Sequence, residues 1–228
     1  MSLLVATGLR AEARVLAGPG VQVFAGGGRS EALESALSAA APHARALLSI
    51  GLGGALAGDL RPGDWVVAEA AIEGGQPCPT DPAWSRALLQ RLPGARPGVL
   101  LGGEAMLTGV RDKARARVEW GALAVDMESH VAARVARRFG LTFAAARVIS
   151  DTADRELPAA VRGGMRGDGG MAAGPVISEL ARDPAQLPAL IRTARDARRA
   201  LRRLAEARRL LGPGLGLPDL LELPLDMA

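Results

Sequence analysis

The sequence is poor in residues that carry metal and redox chemistry, with one cysteine, Cys78, and two histidines, His43 and His130. A lone cysteine excludes an internal disulfide, and with two histidines it makes no ligand cluster for zinc, so no metal is expected. Long apolar runs are missing too. No uncharged stretch approaches the roughly 20 residues that a membrane-spanning helix requires. The opening residues MSLLVATGLRAEA place no basic leader before their apolar run and reach Arg10 too early for a signal peptide, so a cytoplasmic protein is expected. The triplet Gly26-Gly27-Gly28 lacks the G-x-G-x-x-G frame and reads as a turn, not a dinucleotide cradle, and no cofactor is expected. Aromatic residues make up 3% of the chain and no nucleic-acid motif is present, which argues against a nucleic-acid partner.

What is present fits one α/β domain. At 228 residues, 49% hydrophobic and 23% charged, the chain can bury most of its surface, and no linker divides it before the C-terminal region. The expected division is a domain over 1–212 and a loosely held tail or partner-docking extension over 213–228. The strongest pattern lies in residues 125–154. Met127, Val131, Val135 and Phe139 recur every four residues and give one apolar helical face starting near Asp126, and Gly140 ends it. Residues 142–150, TFAAARVIS, then read as a strand buried in an α/β sheet, interrupted only by Arg147. Elsewhere, strands are expected at 3–6, 21–25, 46–50 and 99–101, and helices at 9–16, 30–41 and 84–92. The rest of 73–97 reads as loop at the mouth of a site.

Several acidic residues fall where ligands bind in open α/β sheets, outside the carboxyl ends of strands. Glu128 opens the central helix, Asp151 follows the buried strand, and Glu12 sits one turn into the first helix beyond Gly8. Each also has an ordinary structural reading: Asp126 as an N-cap, Glu128 as a helix-dipole partner, Asp151 as a turn residue, Glu12 as a solvated helix residue. Taken singly, the residues leave both readings open.

Taken together, D-M-E-S (residues 126–129), the helix and strand after it, and R-V-I-S-D-T-A-D (147–154) resemble the purine nucleoside phosphorylase and nucleosidase superfamily. That resemblance implies a three-layer α/β/α fold with a central mixed sheet, and cleavage of a purine N-ribosidic bond without a cofactor. It assigns roles residue by residue. Asp151 would protonate the base at N7, and Glu128 would accept the ribose hydroxyls with Met127 packed on the sugar. Met106 would stack on the purine and Leu107 read its edge through the backbone. Ser150 and Arg147 would line the nucleophile side and orient Asp151. Gly8 and Gly51 belong to the two loops around the nucleophile, the second being the Gly-rich stretch 51–56, where Leu52 replaces the family's usual hydroxyl residue. Glu12 stands where the 5′-methylthioadenosine/S-adenosylhomocysteine nucleosidases carry the glutamate that activates water; hexameric phosphorylases have a phosphate-binding arginine there. Phosphate therefore stays open as a co-substrate. The family's habit of forming dimers or larger rings implies a homo-oligomer.

Residues 155–160, 165–170, 187–192 and 208–212 look like the hopanoid-associated phosphorylase subfamily, over roughly residues 3–212. This implies adenosylhopane as the purine nucleoside substrate; a soluble 5′-substituted adenosine is the alternative. A last feature is a basic helix expected at about 186–211. Between Arg192 and Arg209 eight arginines face Asp196 and Glu206, a segment charge of +6 in a chain whose total is +4. Leu187, Leu190, Ile191, Ala194, Leu201 and Leu204 give it an apolar stripe. Docking by that stripe with a solvated basic face is the ordinary reading. The others are peripheral attraction to anionic lipid, as at an inner membrane, or a non-enzymatic nucleic-acid surface.

Overall fold

The computed structural model describes residues 2–164, 169–170 and 172–218. Its strands are β1 (Ser2–Thr7), β2 (Val21–Ala25), β3 (Ala44–Ala55), β4 (Trp65–Glu73), β5 (Gln76–Pro79), β6 (Arg96–Gly102), β7 (Ala124–Asp126) and β8 (Thr142–Asp151). The helices are α1 (Arg10–Leu16), α2 (Ser30–Ala40), α3 (Pro82–Arg91), α4 (Val110–Trp120), α5 (Ser129–Phe139), α6 (Ala159–Gly164), α7 (Ala173–Arg182) and α8 (Leu187–Leu211). They form a three-layer α/β/α structure around one mixed sheet.

Strand pleating sorts the core into two layers. Leu4 and Ala6 of β1 and Ala145 and Ile149 of β8 face α2 and α5, meeting Leu33, Leu37, Val131 and Val135. Leu3 and Val5, with Ala144, Ala146 and Val148, face the opposite layer and meet Leu16 of α1, Trp84 and Leu88 of α3 and Leu204 of α8. The sheet also closes on itself. β3 pairs in parallel with β8 and antiparallel with β7; β7 runs beside β6, β6 beside β4, and β4 returns antiparallel to β8. The carboxyl ends of β7 and β8 thereby come to the second half of β3, where Gly54 pairs with Val125 and with Asp151.

Four sequence expectations need correction. The strand expected at 46–50 runs on to Ala55, so Gly51, Gly53 and Gly54 lie in β3 and not in a loop; strand glycines permit this close approach of neighbouring groups. The stretch after Glu73 is not loop, because Gly74 and Gly75 take positive φ and turn the chain into a β4–β5 hairpin. It lies against α5, where Glu73 pairs with Arg134 and Arg137. The helix expected to start near Asp126 begins at Ser129. The tail is held at its start: Leu215 is fully buried, and its carbonyl accepts a hydrogen bond from Trp84 Nε1. Residues 219–228 lie outside the described residues.

The basic helix α8 is present, but the seam by which its second half docks shares only Leu204 with the expected stripe. Ala200, Leu204, Ala207 and Leu211, spaced at helical repeats, are the buried seam. In the first half, Leu187 and Ile191 stay exposed. Among the described residues no helix is long and apolar enough to cross a membrane. Leu204→Ala is expected to cost about 2–5 kcal/mol of unfolding free energy in urea titrations. Leu187→Ala should stay within about 0.5 kcal/mol of wild type.

Candidate active site

The site is built around an arginine in the core. Arg147 shares the β8 face of Ala145 and Ile149, so its pleat position sends it into the α5 layer with no solvent exposure. A buried cation there requires neutralisation. Arg147 Nη2 donates to Asp126 Oδ1 at 2.8 Å and to Ser49 Oγ at 2.7 Å, and Nη1 donates to the Ala146 carbonyl. Asp126 Oδ1 also accepts the backbone amides of Glu128 at 2.8 Å and Ser129 at 2.6 Å, so Asp126 caps α5 and neutralises Arg147 together. Asp126 Oδ2 and Arg147 Nε have no hydrogen-bond partner among the described residues.

One more carboxyl reaches this cation, and another lies beside that carboxyl. Glu128 Oε2 lies 3.6 Å from Arg147 Nη2. Glu12, 1% exposed, is reached across Gly8: a Cβ there would sit 3.1 Å from Glu128 Oε1 and 3.4 Å from Glu12 Oε2. Burial pushes the Glu128 carboxyl up to about 8, against the pull of Arg147 and with help from the negative charges of Asp126 and Glu12. Glu12 is anchored by three donors. Its Oε2 accepts Thr7 Oγ1 at 2.7 Å and the Leu9 amide at 2.6 Å; its Oε1 accepts the Leu52 amide at 2.7 Å. The bond to Leu9 is half of a capping box for α1.

The glycines of β3 make room for these groups one by one. A Cβ on Gly51 would meet Thr7 Oγ1 at 2.8 Å and Glu12 Oε1 at 3.0 Å; on Gly53, the Arg147 side chain at 3.1 Å; on Gly54, Asp151 Oδ2 at 3.1 Å. The last contact leads to the second cluster. Ser150 Oγ is 2.9 Å from Asp151 Oδ1 and 3.2 Å from the Gly53 carbonyl, and its single proton can go to either. Asp151 Oδ2 accepts from Lys113 Nζ at 2.7 Å. A cavity of about 170 Å³ borders Asp151, walled by Thr152, Arg155, Leu157 and, from α8, Arg192 and Thr193.

Residues 103–109 connect the two clusters. The Gly103 amide donates to the Asp126 carbonyl at 2.9 Å, Leu157 donates to the Thr108 carbonyl at 3.1 Å, and Glu104 Oε1 lies 3.1 Å from His130 Nε2 at the start of α5. Met106 and Leu107, both half-buried, therefore lie on the span between Glu128 and Asp151, and Met127, also half-buried, precedes Glu128. The structure thus gathers Gly8, Glu12, Gly51, Glu128 and Arg147 on one side and Ser150 and Asp151 on the other. Among the described residues Lys113 and Ser150 bond to Asp151, whereas the guanidinium of Arg147 bonds to Asp126, Ser49 and the Ala146 carbonyl. Lys113 escapes a reading of the sequence by local pattern, although one signal was there: it is the only lysine among 28 lysines and arginines.

The family described as the phosphorylase superfamily matches residues 9–180. No curated protein matches the sequence. The fold is similar to the S-adenosylhomocysteine nucleosidase of Streptococcus pyogenes, with TM-score 0.68 and 18% identity over 96% of this chain and 98% of that one. It is also similar to the 5′-methylthioadenosine/S-adenosylhomocysteine nucleosidase of S. pneumoniae, with TM-score 0.61 and 17% identity over 93% and 100% of the chains. Futalosine hydrolase of Helicobacter pylori matches with TM-score 0.58 and 17% identity over 66% and 88%.

The Glu128 proton links the site to stability. Its folded value of about 8 lies above the ordinary 4.5, so between those values the unfolded chain releases a proton that the folded chain keeps. Stability should therefore fall as pH rises through that window and level off above it. Relative to Glu128→Gln, wild type is expected to lose a few kcal/mol of unfolding free energy between about pH 5 and pH 8, as read from urea titrations at each pH.

Proposed function

The chain belongs to the phosphorylase superfamily, and from that premise we propose that it breaks the N-ribosidic bond of an adenosine derivative with water as the nucleophile. The observation that carries the choice of water is the setting of Glu12. The Leu9 amide, Leu52 amide and Thr7 hydroxyl converge as donors for an anion, and the chain's own carboxyl already occupies them. A phosphate would have to displace that carboxylate and lie near it, while the cation at hand, Arg147, is already paired with Asp126, an arrangement that repels a dianion.

In this reading the bond from the anomeric carbon to the base breaks as positive charge grows on the sugar and negative charge on the purine. Asp151 delivers a proton to N7, and general acid catalysis of this kind contributes about 10²- to 10⁴-fold. Glu12 takes the proton of the attacking water through Oε1, which accepts one bond where Oε2 accepts two. Glu128, protonated near neutral pH, both donates to and accepts from the ribose hydroxyls. Met106 and Leu107, between the two clusters, hold the base.

For the 5′ substituent we propose the triterpenoid of adenosylhopane, which follows the subfamily resemblance. Two features support it. The first half of α8, whose Arg192 and Thr193 wall the cavity at Asp151, exposes Leu187 and Ile191, and neighbouring α7 exposes Ile177. Arginines interleave with these apolar side chains, a surface suited to anionic lipid around an apolar substrate.

Adenine release should be equal in phosphate-free and phosphate buffers and yield a free sugar; Glu12→Gln and Asp151→Asn should each lower it about 10²- to 10⁴-fold. A phosphate requirement with a ribose 1-phosphate product would sink the hydrolytic reading. With adenosylhopane in vesicles, turnover should exceed that of 5′-methylthioadenosine and rise with anionic lipid content. Faster cleavage of the soluble nucleoside, indifferent to lipid, would remove both the substrate and the surface.

A further inference from the structure

Asp151 has hydrogen-bond donors at both carboxyl oxygens, Ser150 Oγ at Oδ1 and Lys113 Nζ at Oδ2. A carboxylate so held has to receive a proton before it can give one to a base. Resting on the assignment of Asp151 as the acid, we propose that Lys113 is the proton source behind it, a positioning and relay residue that never meets the substrate.

Three observations carry the assignment. Lys113 has no solvent exposure, yet its ammonium makes three bonds: to Asp151 Oδ2 at 2.7 Å, the Thr152 carbonyl at 2.9 Å and the Arg155 carbonyl at 3.1 Å. It is the only lysine in a chain that otherwise uses arginine, and arginine holds its proton too firmly to pass it on. A cation needed only for charge would be met by the guanidinium used elsewhere. The third observation is the Ser150 hydroxyl, which can turn its proton to the Gly53 carbonyl and leave Oδ1 free for the base.

The steps balance. Lys113 gives a proton to Asp151 and becomes a neutral amine, still bonded to either carbonyl. Asp151 gives its proton to N7 as the bond to the sugar breaks, the bonding pair leaving with the purine. Water adds to the anomeric carbon and loses its proton to Glu12. Solvent in the cavity at Asp151 then returns a proton through the carboxyl to Lys113, and Glu12 releases its own to water.

The test compares the adenosine derivative that wild type cleaves fastest with its N7-methylated counterpart, whose base carries a positive charge and leaves without protonation. Lys113→Met should lower cleavage of the first about 10²- to 10⁴-fold and leave the second near wild type, as should Asp151→Asn. Equal losses on both substrates in Lys113→Met would make the residue structural and overturn the proposal. A full effect in Asp151→Asn with none in Lys113→Met would overturn the relay alone, whereas no effect in Asp151→Asn would remove the acid itself. A proton inventory on wild type in mixed light and heavy water needs no variant. Its curvature should be greater for the unmethylated substrate, where the Asp151 and Lys113 protons move as well as that of the attacking water, than for the N7-methylated one, and equal curvature overturns the relay.

Discussion

A guanidinium shut away from water dictates much of what surrounds it. Arg147 sits at a pleat position that belongs to the core, and removing its counter-ion would leave an uncompensated charge in the α5 layer. Asp126 answers that need while bonding the first amides of α5, so one carboxyl oxygen joins β8, β7 and the helix. Ser49 brings β3 into the same knot. The helix that opens with Glu128 cannot be placed independently of the strand that ends in Asp151. Fold and site depend on one ion pair.

The cation is also shared. Asp126 and Glu128 both reach Arg147, and the more distant of the two, Glu128 at 3.6 Å and with Glu12 also beside it, holds a proton. The site thus keeps one neutral carboxyl beside Asp126, while Asp151 has a cation of its own in Lys113. Carboxyls with such different surroundings can serve different steps of one reaction. The β3 glycines let this happen in a small volume, because side chains at positions 51, 53 and 54 would fill the space of Glu12, Arg147 and Asp151.

How much of this was legible in the sequence follows from the range of the interactions. The α5–β8 unit could be read because its helical period, its closing Gly140 and its short apolar strand are local signals. The extension of β3 through Gly51, Gly53 and Gly54 could not, because glycine disfavours strands locally and only the pairing with β7 and β8 makes one there. The ordinary reading of Asp126 as a cap and its pairing with Arg147 are both present in one side chain, and local pattern gives the first alone. Half of the stripe on α8 faces solvent because periodicity says which side chains share a face, not how far the partner surface extends beneath them.

Lys113 shows the same limit from the other side. Its helix, VRDKARARVEW, looks like a solvated basic segment, and six of its residues are charged. The position is buried because α4 turns it toward the carbonyls of Thr152 and Arg155, forty residues further along the chain in round figures, where β8 has just ended. Burying an ammonium is tolerable only where its donors are satisfied and a negative charge is close. Two carbonyls satisfy two of its three N–H donors; Asp151 takes the third and supplies the charge. The acid and the lysine therefore stabilise one another's burial, and the loop after β8 is fixed by the pair that would do the chemistry.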